Sequence, residues 1–237
     1  MSAPAAPAAE SCETVVLLHG LGRTASSLAR LASAVERDGF RTVNLSYPSR
    51  TLPLETLARD WLPAQLAAHS VALEAAAPRV HFVTHSMGGI VVRFWLRERG
   101  APPNLGRTVM LAPPNQGSEV ADKLNAFPPF RWLTGANGRR LGTAPGSLPR
   151  MLGPWPAAAG ALGVIAGDFS FNPLFSSWMP GPNDGKVSVA RTHLAGERDH
   201  RVLPFSHTWL ASRTATARQV RAFLHNGKFE PGAKNSP

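Results

Sequence analysis

The sequence predicts an α/β fold, a mostly parallel sheet with helices on both faces. Short runs rich in β-branched residues alternate with longer stretches of helical periodicity, and each run stops at a turn. Three of these runs also deliver a histidine or a serine directly into the turn that follows, at what would be one edge of the sheet.

Six runs read as strands: residues 15–18, 42–47, 80–84, 109–112, 162–166 and 201–205. The first ends in His19-Gly20, the second in Pro48, the third in His85-Ser86, the fourth in Pro113-Pro114, the fifth in Gly167-Asp168, and the last leads into Ser206-His207. Between them, residues 26–38 carry Leu28, Leu31, Ala32 and Val35 at helical spacing, with Gly39 placed to stop the helix. Residues 54–77 repeat Leu57, Trp61, Leu62, Leu66, Val71 and Leu73 in the same way, interrupted by Pro63, which should break or kink the helix. Residues 87–98 offer Ile90, Val91, Phe94 and Trp95 for burial, and residues 214–225 offer Val220, Phe223 and Leu224. The order is β-α-β-α-β-α-β followed by a gap.

That gap, residues 115–161, has a different composition, with Phe127, Phe130, Trp132 and Trp155 set among many prolines and glycines. A structureless stretch of this length is uncommon inside a compact domain unless it has a task. We read it as a cap or lid over a site, with those four aromatic residues as its apolar lining. The 237 residues, 43% of them hydrophobic, suffice for one core and are short for two domains. The expected organisation is an Ala/Pro-rich disordered lead-in at 1–13, one domain over 14–226 that includes the cap, and a flexible polar tail at 227–237.

The single cysteine, Cys12, excludes a disulfide framework within the chain. The N-terminal stretch lacks the basic start and apolar run of a secretory signal, and no apolar run approaches the ~20 residues needed to span a bilayer, so the sequence reads as a cytoplasmic protein. The formal charge of +10 would attract an anionic membrane surface peripherally. The basic residues are dispersed, however, without the block of basic residues interleaved with aromatics that marks a specific nucleic-acid site. No His-Glu-x-x-His pattern or cysteine set indicates a metal, and Gly20-Leu21-Gly22 lacks the third glycine of a dinucleotide fingerprint, so no cofactor is expected.

The central motif is VHFVTHSMGG at residues 80–89, an apolar strand running through Ser86 into a helix. On such a sharp strand-to-helix turn a serine hydroxyl is pushed out at the carboxyl edge of the sheet, and small residues two before and two after it let strand and helix approach. Thr84 stands where the leading small residue belongs, so the turn must accommodate one branched side chain. The helix that follows supplies unpaired N–H groups and a positive dipole end. A second motif, VVLLHGLG at 15–22, brings another strand to a His-Gly turn at the same edge. There the backbone N–H of Leu21 could pair with that of Met87 to hold an oxyanion, with His19 as a positioning residue.

HGLGRT, THSMGG, LAPPNQGSEVAD, PNDGKVSV and SHTWL, in this order, resemble the α/β-hydrolase superfamily and specifically its bacterial lipase-like serine esterases; the resemblance runs from Thr14 to Phe223. It implies the α/β-hydrolase fold with an inserted cap, and a Ser, acid, His order along the chain. Carried over, Ser86 is the nucleophile, Asp184 of Asn183-Asp184-Gly185 the acid, and His207 the base. Asp168, directly after the fifth strand, is the alternative acid; the later Asp-Gly motif favours Asp184. Among the other histidines His200 is the main rival base, but it precedes the last strand and would emerge at the wrong edge. His85 should point away from the serine and pack against a neighbouring loop.

The resemblance implies cleavage of a small-molecule or lipid carboxylic ester through an acyl-enzyme. Thioesterase, amidase or acyltransferase chemistry would use the same residues, and a non-catalytic binding protein could share the fold.

Overall fold

The computed structural model describes residues 12–231, apart from the side chains of residues 128 and 130–133. All six expected strands form: β1 (Thr14–Leu18), β2 (Arg41–Leu45), β3 (Val80–His85), β4 (Leu105–Leu111), β5 (Leu162–Gly167) and β6 (Asp199–Leu203). They build one parallel sheet in the order β2-β1-β3-β4-β5-β6. The chain starts at β1, steps outward to β2, then crosses back to β3, so the direction of winding reverses beside β1. Such a switch point leaves a crevice at the carboxyl ends of the strands. Leu18 pairs with Thr84 and His85 with Leu111, which brings β1, β3 and β4 to a common edge there.

Period-two alternation divides the apolar residues between two cores. Val15 and Leu17 face Leu31 and Val35 of α1 (Ala29–Glu36) and Val220, Phe223 and Leu224 of the last helix. Val16 and Leu18 face the opposite layer, in which the helical stretch of residues 54–68 packs with Ile90, Val91 and Phe94. That stretch comprises α2 (Leu54–Thr56), a π-turn (Leu57–Trp61) and α3 (Leu62–Ala68). Pro63 cannot donate to the carbonyl of Arg59, and that carbonyl accepts from the Arg99 guanidinium at 2.9 Å instead. The helix therefore continues through the proline with a π-turn rather than breaking. It stops at Ala68, short of the expected residue 77, where Ser70 adopts a positive φ of 52°.

The helix after β3 is α4 (Met87–Arg99), closed by Gly100 in a positive-φ conformation. The segment after β4 holds α5 (Glu119–Leu124), α6 (Pro128–Arg140) and α7 (Leu148–Met151). Gly135 kinks α6 with φ 64°, and a Cβ there would collide with the carbonyl oxygen of Arg50, so the kink lets this segment lie directly on the loop after β2. The buried Arg93 of α4 donates to the carbonyls of Asn115, Pro149 and Gly153, joining both ends of the segment to the sheet layer. The segment thus carries helices of its own. Two short helices follow β5, α8 (Pro173–Ser177) and α9 (Val189–Thr192), and the last is α10 (Thr214–Asn226), ended by Gly227 in the left-handed conformation.

Both expected ends differ from the sequence reading where they are described. Phe229 is buried against Phe223, its N–H donates to Asp199 at 2.7 Å, and Glu230 N–H donates to Gln219 at 2.9 Å, so residues 228–230 are docked and not a flexible tail. A polar composition concealed one aromatic anchor. Glu13, assigned to the lead-in, contacts His81 at 3.0 Å. The remainder of the lead-in and tail, residues 1–11 and 232–237, lies outside the described residues. No helix among the described residues is long and apolar enough to cross a membrane.

The approach of α4 to β1 sets the tightest constraint. A Cβ on Gly88 would lie 2.5 Å from the carbonyl oxygen of Leu18 and 2.9 Å from that of His19, backbone atoms with no room to retreat. Gly88→Ala should lower the unfolding free energy by about 1–3 kcal/mol in urea denaturation. Gly146→Ala, where a Cβ meets nothing within 4 Å, should leave it unchanged. Equal midpoints for the two variants would contradict this packing.

Candidate active site

Ser86 sits between β3 and α4 with φ 52° and ψ −122°, a backbone conformation that costs a non-glycine residue of order 1–3 kcal/mol. Two hydrogen bonds hold it there: Ser86 N–H donates to Leu111 O at 2.8 Å, and Gly89 N–H donates to Ser86 O at 3.0 Å. Thr84, the branched residue in the small-residue position, is fully buried. A Cβ on Gly89 would lie 3.2 Å from its Oγ1, so the glycine gives back the space that the threonine takes.

His207 arrives from the loop after β6, and its Nε2 lies 3.0 Å from Ser86 Oγ. Its Nδ1 lies 2.7 Å from Asp184 Oδ2, which assigns the proton to Nδ1 and leaves Nε2 as the acceptor facing the serine. The other Asp184 oxygen accepts the N–H groups of Lys186 (2.9 Å) and Val187 (2.8 Å), while His207 N–H donates to Asp184 O at 3.0 Å. Asp184 is 2% exposed and His207 4%, so a hydrogen-bonded carboxylate and imidazole are shielded together. Asp168 is exposed and its backbone N–H donates to Leu203 O. Asp184 reaches the same end of β5 from a later loop: a Cβ on Gly167 would lie 2.9 Å from Asp184 Cβ.

His85 packs against a neighbouring loop, the one that carries the His207 imidazole: its Nε2 lies 3.0 Å from the carbonyl of His207, with ring centroids 4.9 Å apart. Burial, and then the neighbouring His207, push its pKa well below the ordinary value, which keeps it neutral. His19 stacks on Tyr47 at 4.1 Å, its Nδ1 donates to Gly20 O at 2.8 Å, and its Nε2 accepts Tyr47 N–H at 3.0 Å.

A cavity of about 360 Å³ opens onto Ser86 and His207. Val120, Ala121, Leu124 and Leu141 of the segment after β4 form much of its apolar wall, with Phe175 and Val187. The helical spacing of Val120, Ala121 and Leu124 was the available signal for that wall; the larger aromatics drew attention instead. Leu21 lines the cavity, and Met87 begins α4 with its side chain in the core. Phe127 is 56% exposed and lines no part of the cavity, and Trp155 is buried elsewhere, donating to Gly160 O at 2.9 Å. These two correct the expected aromatic lining. The side chains of Phe130 and Trp132 lie outside the described residues.

His200 stands on β6 stacked on His193 at 3.8 Å, not at the cavity. With Glu197 these two form the one group among the described residues whose donor atoms fall within metal-binding reach of one another, all within 4.8 Å. His193 Nδ1 is already bonded to Glu197 at 2.5 Å, and the near-parallel rings direct their lone pairs along separate planes rather than at one point.

The model of the alpha/beta hydrolase family matches residues 15–230. The chain belongs to that family. Among solved structures, this α/β-hydrolase is similar to the mature lipase BlEst2 of Bacillus licheniformis, at 16% identity and a TM-score of 0.68 over 94% of this chain and 95% of the other. It is also similar to phospholipase PlaB of Legionella pneumophila, at 20% identity and a TM-score of 0.60, covering 76% of this chain and 45% of that one. The carboxylesterase CesB of Bacillus subtilis follows at 14% identity and a TM-score of 0.53, with 92% and 85% covered. At these identities the likeness is one of fold. No curated protein sequence matches the hydrolase.

Burial lowers the pKa of His19, His81, His85 and His200, the last to about 4. A histidine whose folded pKa lies below its unfolded value of 6.5 contributes stability that is complete above pH 6.5 and is lost as pH falls toward the folded value. The half-buried His200, screened by solvent, should remove about 1 kcal/mol of unfolding free energy between pH 7.5 and pH 5. Urea midpoints that stay level across that interval, or a His200→Gln variant with an undiminished slope, would contradict a lowered His200 pKa.

Proposed function

We propose that this α/β-hydrolase cleaves carboxylic esters of short to medium acyl chain through a serine acyl-enzyme. The observation that carries the reading is the continuous hydrogen-bonded line from Asp184 Oδ2 through His207 to Ser86 Oγ, at 2.7 and 3.0 Å, opening on an apolar cavity. A serine hydroxyl is a weak nucleophile at neutral pH and needs a neutral imidazole to take its proton. A buried carboxylate behind the ring fixes the required tautomer and stabilises the imidazolium that forms.

In the proposed reaction, Ser86 Oγ attacks the ester carbonyl as its proton passes to His207 Nε2. The oxyanion is held by the backbone N–H groups of Leu21 and Met87, supported by the dipole of α4. Collapse expels the alcohol, which takes the proton from His207. A water molecule, deprotonated by the same nitrogen, then attacks the acyl-enzyme and releases the acid and free Ser86. In this reading the segment 115–161 is a cap whose α5 and α6 close the acyl-binding side. The fold of neighbours named as lipases and a carboxylesterase agrees with this chemistry.

Hydrolysis of p-nitrophenyl esters by the purified protein tests the reading. Ser86→Ala should reduce kcat to background with an unchanged unfolding midpoint, and Asp184→Asn should lower it by about three to four orders of magnitude. Asp168→Asn should stay within about twofold of the parent. Substantial turnover by Ser86→Ala would place the nucleophile elsewhere. A cavity of about 360 Å³ is at the small end of ligand pockets, so kcat/KM should peak between butanoate and octanoate and fall about tenfold or more at hexadecanoate.

A further inference from the structure

Arg23, Arg50 and Lys186 stand on the lining of the cavity that holds Ser86, and among the described residues no aspartate or glutamate lines it. None of the three has a carboxylate of a described residue within ion-pair distance, whereas Arg59, Arg140, Arg191, Arg218 and Arg221 each face one. Arg23 and Lys186 feel each other as like charges, and both lie near enough to His85 to act on its charge. All three side chains are exposed at the cavity mouth, where like charges repel through solvent and an anion between them relieves that repulsion.

The backbones that carry these side chains are fixed. Gly22, next to Arg23, donates its N–H to Ser49 Oγ at 2.9 Å, which joins the loop after β1 to the one that bears Arg50. Asn137 of α6 holds the same loop by donating to Ser49 O (2.9 Å) and Leu52 O (2.7 Å). Lys186 N–H donates to Asp184 Oδ1 at 2.9 Å, and Lys186 O accepts from Ser118 Oγ at 2.6 Å. Each cation thus stands on backbone tied to the cap segment, to the loop beside Leu21, or to the acid behind His207. Lys186 keeps contact with solvent, yet protein crowds its ammonium, which lowers its pKa; Arg23 adds to the effect and the Asp184 carboxylate opposes it.

We propose that Arg23, Arg50 and Lys186 form an anion subsite, and that the substrate is an ester carrying a phosphate or carboxylate close to its scissile bond. This rests on the ester reading of Ser86 and narrows it: the acyl chain lies against Val120, Leu124 and Leu141, and the charged part of the molecule stays at the mouth. Arginine suits this task because its fork can bind two oxyacid oxygens at once. Neutral triglyceride-like esters would offer these cations no anionic group.

Binding and turnover test the proposal separately. In calorimetric titrations of the wild-type protein, octyl phosphate should bind about tenfold or more tightly than octanol, and inorganic phosphate alone more weakly than octyl phosphate. Octanoate against octanol separates a carboxylate preference from a phosphate one. Arg50→Gln and Lys186→Gln should each reduce the octyl phosphate to octanol affinity ratio about tenfold, with unfolding midpoints measured alongside. Equal affinities for octyl phosphate and octanol, or variants that leave the ratio unchanged, would overturn the subsite. Turnover of 1-octanoylglycerol 3-phosphate against 1-octanoylglycerol then reads the ester chemistry. A preference for the phosphorylated ester that Arg50→Gln diminishes is the expected result, and equal turnover of the two esters would overturn the substrate assignment. If neither ester is cleaved while the binding ratio holds, the ester reading falls and the anion subsite stands.

Discussion

The carbonyl oxygens of Leu18 and His19 and the α-carbon of Gly88 are packed so closely that no side chain fits between them. Because α4 rests on the end of β1 at that point, the chain must leave β3 through a turn sharp enough to force Ser86 into positive φ. The strain is local, and the sheet on one side and the α4 core residues on the other over-determine it. From this contact follow the exposure of the Ser86 hydroxyl, the proximity of the loop after β1, and the opening of the crevice at the sheet edge. The parallel topology then delivers everything else to the same edge, since every strand ends there.

The His207 side of the site depends on a second set of bonds, almost all of them to backbone. Asp184 accepts two main-chain N–H groups while its own carbonyl accepts that of His207, and the His207 carbonyl in turn faces His85. A neutral His85 fits the proposed role of His207, because an imidazolium beside the proposed base would oppose proton transfer to it. The loops of residues 183–187 and 206–207 therefore behave as one unit. His85 is a positioning residue within it and touches no reacting atom.

Much of this was legible in the sequence because its causes are local. Alternation of β-branched runs with helical periods fixes the layers, Gly39 marks the end of the first helical stretch, and the apolar strand running into His85-Ser86-Met87-Gly88-Gly89 is readable as a sharp turn. Asp184 and His207 could be named as partners of Ser86 only through the resemblance to a family, since 23 residues separate the two and 121 separate His207 from the serine. What was not legible depends on tertiary accidents of packing. The carbonyl of Arg59 freed by Pro63 finds Arg99, the tail is anchored by Phe229, and the cavity wall is built from the modest side chains of α5 rather than from Phe127 or Trp155. Large aromatic residues in a proline-rich segment attract notice by size, but where they go is decided by which neighbours have room.

The same distinction applies to charge. A total of +10 spread over the chain says nothing about a partner, and most arginines in the described structure are answered by carboxylates or carbonyls. Three cations at one cavity mouth without a carboxylate among them are a different observation, because there the imbalance has an address. The account stands or falls on whether Ser86 is the activated hydroxyl. A fluorophosphonate probe reacts only with such a group, so labelling the folded protein and mapping the adduct by peptide mass spectrometry addresses this directly. The account predicts a single adduct on Ser86, lost on denaturation and in His207→Ala; an adduct on another residue, or an unreactive folded protein, would contradict it.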